Sequence, residues 1–232
     1  MAKTDWKSEA KALQKKVKKL KARVMGEEIG AVAAAAAPAK KAKPISPLAP
    51  KDGFPKLPVI GGVEFAAVEA GVRYQNRKDV MLVRLAPGTA MAGVFTRSST
   101  RSGCVRDCQA KLAMKVPAGA GSAIIVNSGN SNAFTGKIGD DAVAAVTGSV
   151  AEALGIPASR VFSSSTGVIG EPLPYEKITA KVPDLVAALR EDAIEMAAHA
   201  MMTTDTFPKG AAATVQGDGG VINIAGIARG LA

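Results

Sequence analysis

The sequence predicts an α/β domain behind a basic tail, and three observations carry that prediction. Short runs of branched apolar residues, bounded by turn residues, alternate with longer stretches of helical period. The 24 Gly and 13 Pro set many turns and close backbone approaches rather than a helical bundle. The positive charge is confined to one end: residues 1–43 carry 12 Lys or Arg against 4 Asp or Glu, a net +8 of the chain's +10.

At 232 residues the chain is long enough for a domain with its own core. Hydrophobic residues make up 47% but aromatics only 4%, so that core is built from Ala, Val, Ile, Leu and Met. No apolar run approaches the roughly 20 residues of a membrane span. The Ala-rich run at 31–37 follows Glu27 and Glu28, which is the wrong flank for a signal peptide. A cytoplasmic protein with no membrane partner is expected.

The tail, residues 1–45, divides in two. Over residues 4–28, Trp6, Ala10, Leu13, Val17, Leu20 and Val24 recur at alternating spacings of four and three among lysines. That is the seam of a short coiled coil, but about two and a half heptads are marginal alone, and a solvated extension is the expectation. Residues 31–50, rich in Ala, Pro and Lys, form a linker. Nucleic-acid binding is not expected, because Trp6 is the tail's one aromatic and the body is nearly neutral.

The folded part, residues 46–232, is expected to open with strands at 65–68, 80–85 and 92–96, the last two separated by Pro87-Gly88. A helix at 104–115 precedes a buried strand at 122–127. Asp140 opens a helix to Leu154, with Ala142, Val143, Val146, Val150 and Leu154 on one face and Gly155 and Pro157 beyond its end. A strand follows at 161–165, then helical patterns at 174–180 and 184–202. Strands at 213–215 and 221–225 flank the turn Gln216-Gly-Asp-Gly-Gly.

The chemistry-bearing residues are few. Cys104 and Cys108, four apart, read as two packed, reduced thiols, since no His or Cys cluster completes a metal site. The single histidine, His199, lies in an Ala- and Met-rich helix and reads as structural. There is no phosphate-binding glycine loop and no nucleophile elbow. Four loop clusters remain. Residues 126–136 bring Asn, Ser and Gly to a strand end, which serves equally as a ligand cradle or as a self-satisfied turn. In residues 163–170, Thr166 and Gly167 follow a strand and can aim a hydroxyl and a backbone N–H at one point. Residues 201–210 end a helix in three Thr and Asp205, and residues 226–230 set Arg229 among glycines.

In this order the clusters resemble the ornithine acetyltransferase family, also called bifunctional glutamate N-acetyltransferase. The most specific pieces are Val-Asn-Ser-Gly-Asn at 126–130, Ser-Thr-Gly-Val-Ile-Gly at 165–170 and Met-Thr-Thr-Asp-Thr at 202–206. The resemblance runs from about residue 55 to 230 and implies a layered αββα sandwich, of which this chain is the N-terminal part. It implies a precursor that cleaves itself at an Ala-Thr bond into α and β chains, assembled as α2β2. The new N-terminal Thr, on the β chain and outside this sequence, is the nucleophile, with its own amine as base. It carries acetyl from N-acetylornithine to glutamate in arginine biosynthesis.

Carried over by motif, Thr166 and Gly167 form the oxyanion hole, and Thr203 contacts substrate. Arg229 stands where the family usually has a substrate-binding Lys, and a planar fork does not replace a compact ammonium conservatively. No bound cofactor or metal is implied; acetyl-CoA enters as an acetyl donor that some members accept. The missing nucleophile and Arg229 define the alternative, a non-catalytic relative that binds a small amino acid or a protein. An isolated half is expected to expose apolar surface and strand edges.

Overall fold

In the computed structural model of the chain, the residues described are 13–17 and 44–230. Residues 13–17 form an exposed helical turn; the remainder of the predicted tail helix, most of the linker, Leu231 and Ala232 lie outside the described residues. Residues Pro44–Ala232 form one compact unit.

Four of the apolar runs become one sheet, ordered β1 (Val63–Val68), β2 (Val80–Leu85), β3 (Ser122–Asn130) and β4 (Val161–Val168). The first two pairings are antiparallel and β3 pairs β4 in parallel. A parallel pair needs a long crossover, supplied by α2 (Gly136–Leu154). Ahead of β3, α1 (Gly103–Leu112) packs along the free edge of β4. Downstream come α3 (Tyr175–Thr179), α4 (Val182–Ala187) and α5 (Ile194–Ala200), then the hairpin β5 (Lys209–Gly217) and β6 (Gly220–Ala228).

Alternation divides the sheet's side chains between two apolar layers. Ala66, Val80, Leu82, Ala123 and Ile125 face Ala142, Val146 and Val150 of α2, with Ile178 of α3 and Val182 and Leu185 of α4. Phe65, Ala67, Met81, Val83 and Val126 face Ala197 and Ala200 of α5. Fully burying each Val or Leu is worth about 1.5–3 kcal/mol, so both layers draw directly on the sequence pattern. The α/β class is as expected, with helices on both faces of the four-stranded sheet.

Three local expectations are corrected. Residues 92–96 belong to no sheet among the described residues, and Val94 is fully exposed; a short apolar run makes a strand only where a neighbour pairs with it. The helix α2 starts at Gly136 instead of Asp140. Its first turn is fixed by Asn132, whose amide donates to the Gly139 carbonyl at 2.9 Å and whose oxygen accepts from the Thr135 hydroxyl at 2.8 Å. Two glycines in that turn hid it from an apolar-period reading. The helix expected at 184–202 is two helices, because Arg190 leaves helical geometry to exchange both backbone hydrogen bonds with Phe65, at 2.8 and 3.0 Å. Pairing with the open edge of β1 overrides helical propensity there.

Candidate functional site

The crossover places the ends of β3 and β4 side by side, and these carry the first two polar clusters. Asn127 lies opposite Ser165, Ser128 opposite Thr166, and Gly129 opposite Gly167. The register is irregular at Asn130, which pairs with both Thr166 and Val168. Gly129 and Gly167 have φ of 104° and 139°, outside the usual range of L side chains. A Cβ on Gly167 would lie 2.3 Å from the Gly129 carbonyl carbon, so the two backbones meet where no side chain fits. Thr166 is buried and Gly167 half-buried at this tip. The C-terminal ends of parallel strands are where open α/β sheets receive ligands.

Behind the tip, the polar groups of Ser128 and Asp79 are buried and paired. The Ser128 hydroxyl donates to the Ala200 carbonyl at 2.8 Å, tying β3 to the end of α5. Asp79, fully buried, accepts the backbone N–H groups of Ala70 and Val72, both at 2.7 Å. The backbone carbonyl of the same residue accepts from the Ser128 N–H at 2.8 Å.

The third and fourth clusters also meet. Arg229, just past β6, donates from Nε and Nη2 to the Thr203 hydroxyl at 3.0 and 2.8 Å. Asp205 accepts from Lys209 Nζ at 2.6 Å, from the Gly230 N–H at 3.0 Å and from the Thr203 N–H at 3.2 Å. Burial alone would push its carboxyl up; the Lys209, Thr203 and Gly230 hydrogen bonds and the Lys209 charge outweigh that and hold it below the ordinary range. The four sequence-predicted residues thus fall into two pairs, Thr166 with Gly167 and Thr203 with Arg229. The pairs are linked through α5: Ser128, opposite Thr166, binds Ala200, and Arg77 donates to the Met202 carbonyl at 2.6 Å, next to Thr203.

Sequence reasoning noted Asp205 without a role, and gave none to Asn127 or Ser165. The available signal was the run of amides and hydroxyls on two strands that pair in parallel. His199 is exposed on α5, and both cysteines are buried and free. Burial, with a smaller contribution from the Asp107 charge, raises the Cys108 thiol above its usual range. Among the described residues no group of three His, Cys, Asp or Glu could hold a metal, and no helix is long and apolar enough to cross a membrane.

Fold and site together define an α/β protein with two polar clusters side by side at the C-terminal ends of a parallel strand pair and a second pair of clusters joined through Thr203 and Arg229. The ArgJ family profile matches residues 64–232, and the chain belongs to that family. It is 62% identical over 179 residues to the arginine biosynthesis bifunctional protein ArgJ of Ruegeria pomeroyi, covering 76% of this chain and 43% of that one. The protein of the same name from Nitrobacter winogradskyi is 49% identical over 176 residues, with 76% and 42% covered. The chain therefore spans less than half the length of these curated relatives.

Two solved structures share the fold. The ArgJ protein of Bacillus halodurans superposes with a TM-score of 0.67 at 30% identity, covering 74% of this chain and 87% of that chain. The ornithine acetyltransferase of Mycobacterium tuberculosis, solved in complex with ornithine, gives 0.66 at 34% identity, covering 74% and 89%.

Proposed function

We propose that this chain is the α part of a glutamate N-acetyltransferase of arginine biosynthesis, working in the cytoplasm. The observation that carries the reading is the glycine-braced tip at Thr166 and Gly167, where a hydroxyl and a backbone N–H lie at the end of a parallel strand pair. Two such donors suit the oxyanion of a tetrahedral intermediate, and removing one such donor costs about 100- to 1000-fold in kcat. Thr203, with Arg229 beside it, is the proposed contact for the amino-acid part of the substrate.

In the proposed cycle, the N-terminal Thr of a β chain attacks the acetyl carbonyl of N-acetylornithine. The Thr O–C bond forms, the C–N bond breaks, and the proton taken from the Thr hydroxyl by its own amine passes to the leaving ornithine. Glutamate then attacks the acetyl-Thr ester through its amine and regenerates the hydroxyl. No cofactor is required; acetyl-CoA is an alternative donor.

Autocatalytic cleavage into two chains is supported by the coverages; their assembly as α2β2 is part of the same proposal. The same region fills 87–89% of the solved chains but only 42–43% of the curated relatives. A β partner is further supported by the hairpin β5–β6, which leaves Val215, Val221, Ile222 and Ile224 about half exposed or more.

Intact mass of the complete gene's product under denaturing conditions tests the reading. Two chains, the second beginning with Thr, are expected, together with acetyl transfer from N-acetylornithine to glutamate. A single uncleaved chain without transfer would favour the non-catalytic amino-acid binder. That alternative draws on Arg229, whose fork already holds Thr203.

A further inference from the structure

The geometry points to Asn127 as a positioning residue for the Thr166–Gly167 tip, acting with Ser165 and backed by Cys104. This rests on the oxyanion role proposed for that tip. Asn127 is 4% exposed, and its Nδ2 donates to the Asn130 carbonyl at 2.9 Å, curling β3 over the register irregularity. That bond fixes the amide's orientation, leaving Oδ1 as an acceptor. The Ser165 hydroxyl lies 2.7 Å from Oδ1 and must therefore be the donor to it.

With its one proton committed, the Ser165 oxygen can only accept from the Cys104 sulfur, 3.3 Å away. The result is a one-way chain of donors, from thiol to hydroxyl to amide to carbonyl, running from α1 to the end of β3.

Its place in the fold gives it work to do. Ser165 directly precedes Thr166, so the bond from Asn127 grips β4 on the upstream side of the tip. On the downstream side, Asn130 Nδ2 donates to the Glu171 and Pro172 carbonyls at 3.0 and 3.2 Å, and the Ser131 hydroxyl donates to the Val168 carbonyl at 2.7 Å. Thr166 and Gly167 are thus clamped from both sides by residues 127–131, the end of β3 and the residue after it. Oxyanion donors stabilise a transition state only when preorganised. Loosening the clamp should slow chemistry while leaving substrate binding largely intact.

The test uses the product of the complete gene and a double-mutant cycle on acetyl transfer from N-acetylornithine to glutamate. Asn127→Ala is expected to lower kcat about tenfold or more while the KM for N-acetylornithine moves less than about threefold. In a Thr166→Ala background the same change should cost less than about threefold, because Asn127 acts through Thr166. Ser165→Ala should repeat the pattern more weakly, and Ser165→Thr, which keeps the hydroxyl, should restore most of the rate. If Asn127→Ala does not fold, Ser165→Ala and Ser165→Thr carry the cycle. Losses that simply add to that of Thr166→Ala, or a rise in KM with kcat unchanged, overturn the assignment. A slow Thr166→Ala beside a normal Asn127→Ala sinks this inference alone; a normal Thr166→Ala sinks the oxyanion reading and this inference with it.

Discussion

The strands β3, β5 and β6 are each nine residues long, yet they are built to opposite ends. Eight of the nine residues of β3 are buried, and its polar groups are bonded to named partners. In β5 and β6 no residue is buried, although β5 carries three Ala and a Val, and β6 Val, three Ile and two Ala. The contrast teaches that the tip at Gly129 and Gly167 is packed by the chain itself, whereas the hairpin leaves its apolar side chains uncovered, as the proposed β partner would require. Changes at the first should be felt in folding and chemistry together; changes at the second should be felt only in assembly.

The strongest attempt to break that contrast is Gly167→Ala. It forces a Cβ against Gly129 at a φ of 139°, so about 3 kcal/mol or more of destabilisation is expected, with acetyl transfer abolished. Denaturant unfolding and a rate assay on the complete gene's product check it; an unaltered midpoint would mean the strand ends are looser than the geometry indicates. Next comes Asp79→Ala, which strands two buried N–H donors and should cost about 2–4 kcal/mol by the same unfolding measurement.

A smaller, pH-dependent effect belongs to Asp205, at the base of the hairpin. Its folded carboxyl titrates below its unfolded value of about 3.9. The bonds to Lys209, Thr203 and Gly230 therefore stabilise the fold above that value, and the contribution disappears as pH falls through the folded pKa. Melting curves from pH 6 down to about 3 should show Asp205→Asn converging on the parent protein at the acid end. The smallest effect sharpens the other side of the comparison. Val221→Thr with Ile224→Thr should shift the stability of this chain by less than about 0.5 kcal/mol. The same pair should weaken recovery of a two-chain complex on size exclusion, and an intact complex would remove the hairpin from the interface.

Much of this was legible in the sequence, for reasons that differ by element. The layers of β1 to β4 and α2 follow from side-chain period, which needs no tertiary knowledge. The break at Arg190 was invisible because its cause, the open edge of β1, lies 125 residues away. The segment 92–96 was misread for the complementary reason: it has a strand's short apolar run and, among the described residues, no neighbour. Thr166, Gly167, Thr203 and Arg229 were singled out through their motifs, but their division into two pairs is a matter of fold. Asn127 and Ser165 lay within polar clusters but had no individual role until parallel pairing put their side chains 2.7 Å apart.

The edges of the four-stranded sheet have a practical consequence for making this chain. At β1, Arg190 occupies the backbone of Phe65 in mid-strand. At β4, α1 sends Lys111 and Cys108 to the Val161 and Ser163 carbonyls at 2.9 and 3.3 Å. Both rims are stoppered, so a foreign strand finds no continuous ladder to extend there. Among the described strands, the outer rims of β5 and β6 are what remains for templated growth. Any fibrillar by-product of expressing this chain alone should then be seeded by residues 209–228, and a charged substitution in that stretch is the first remedy to try.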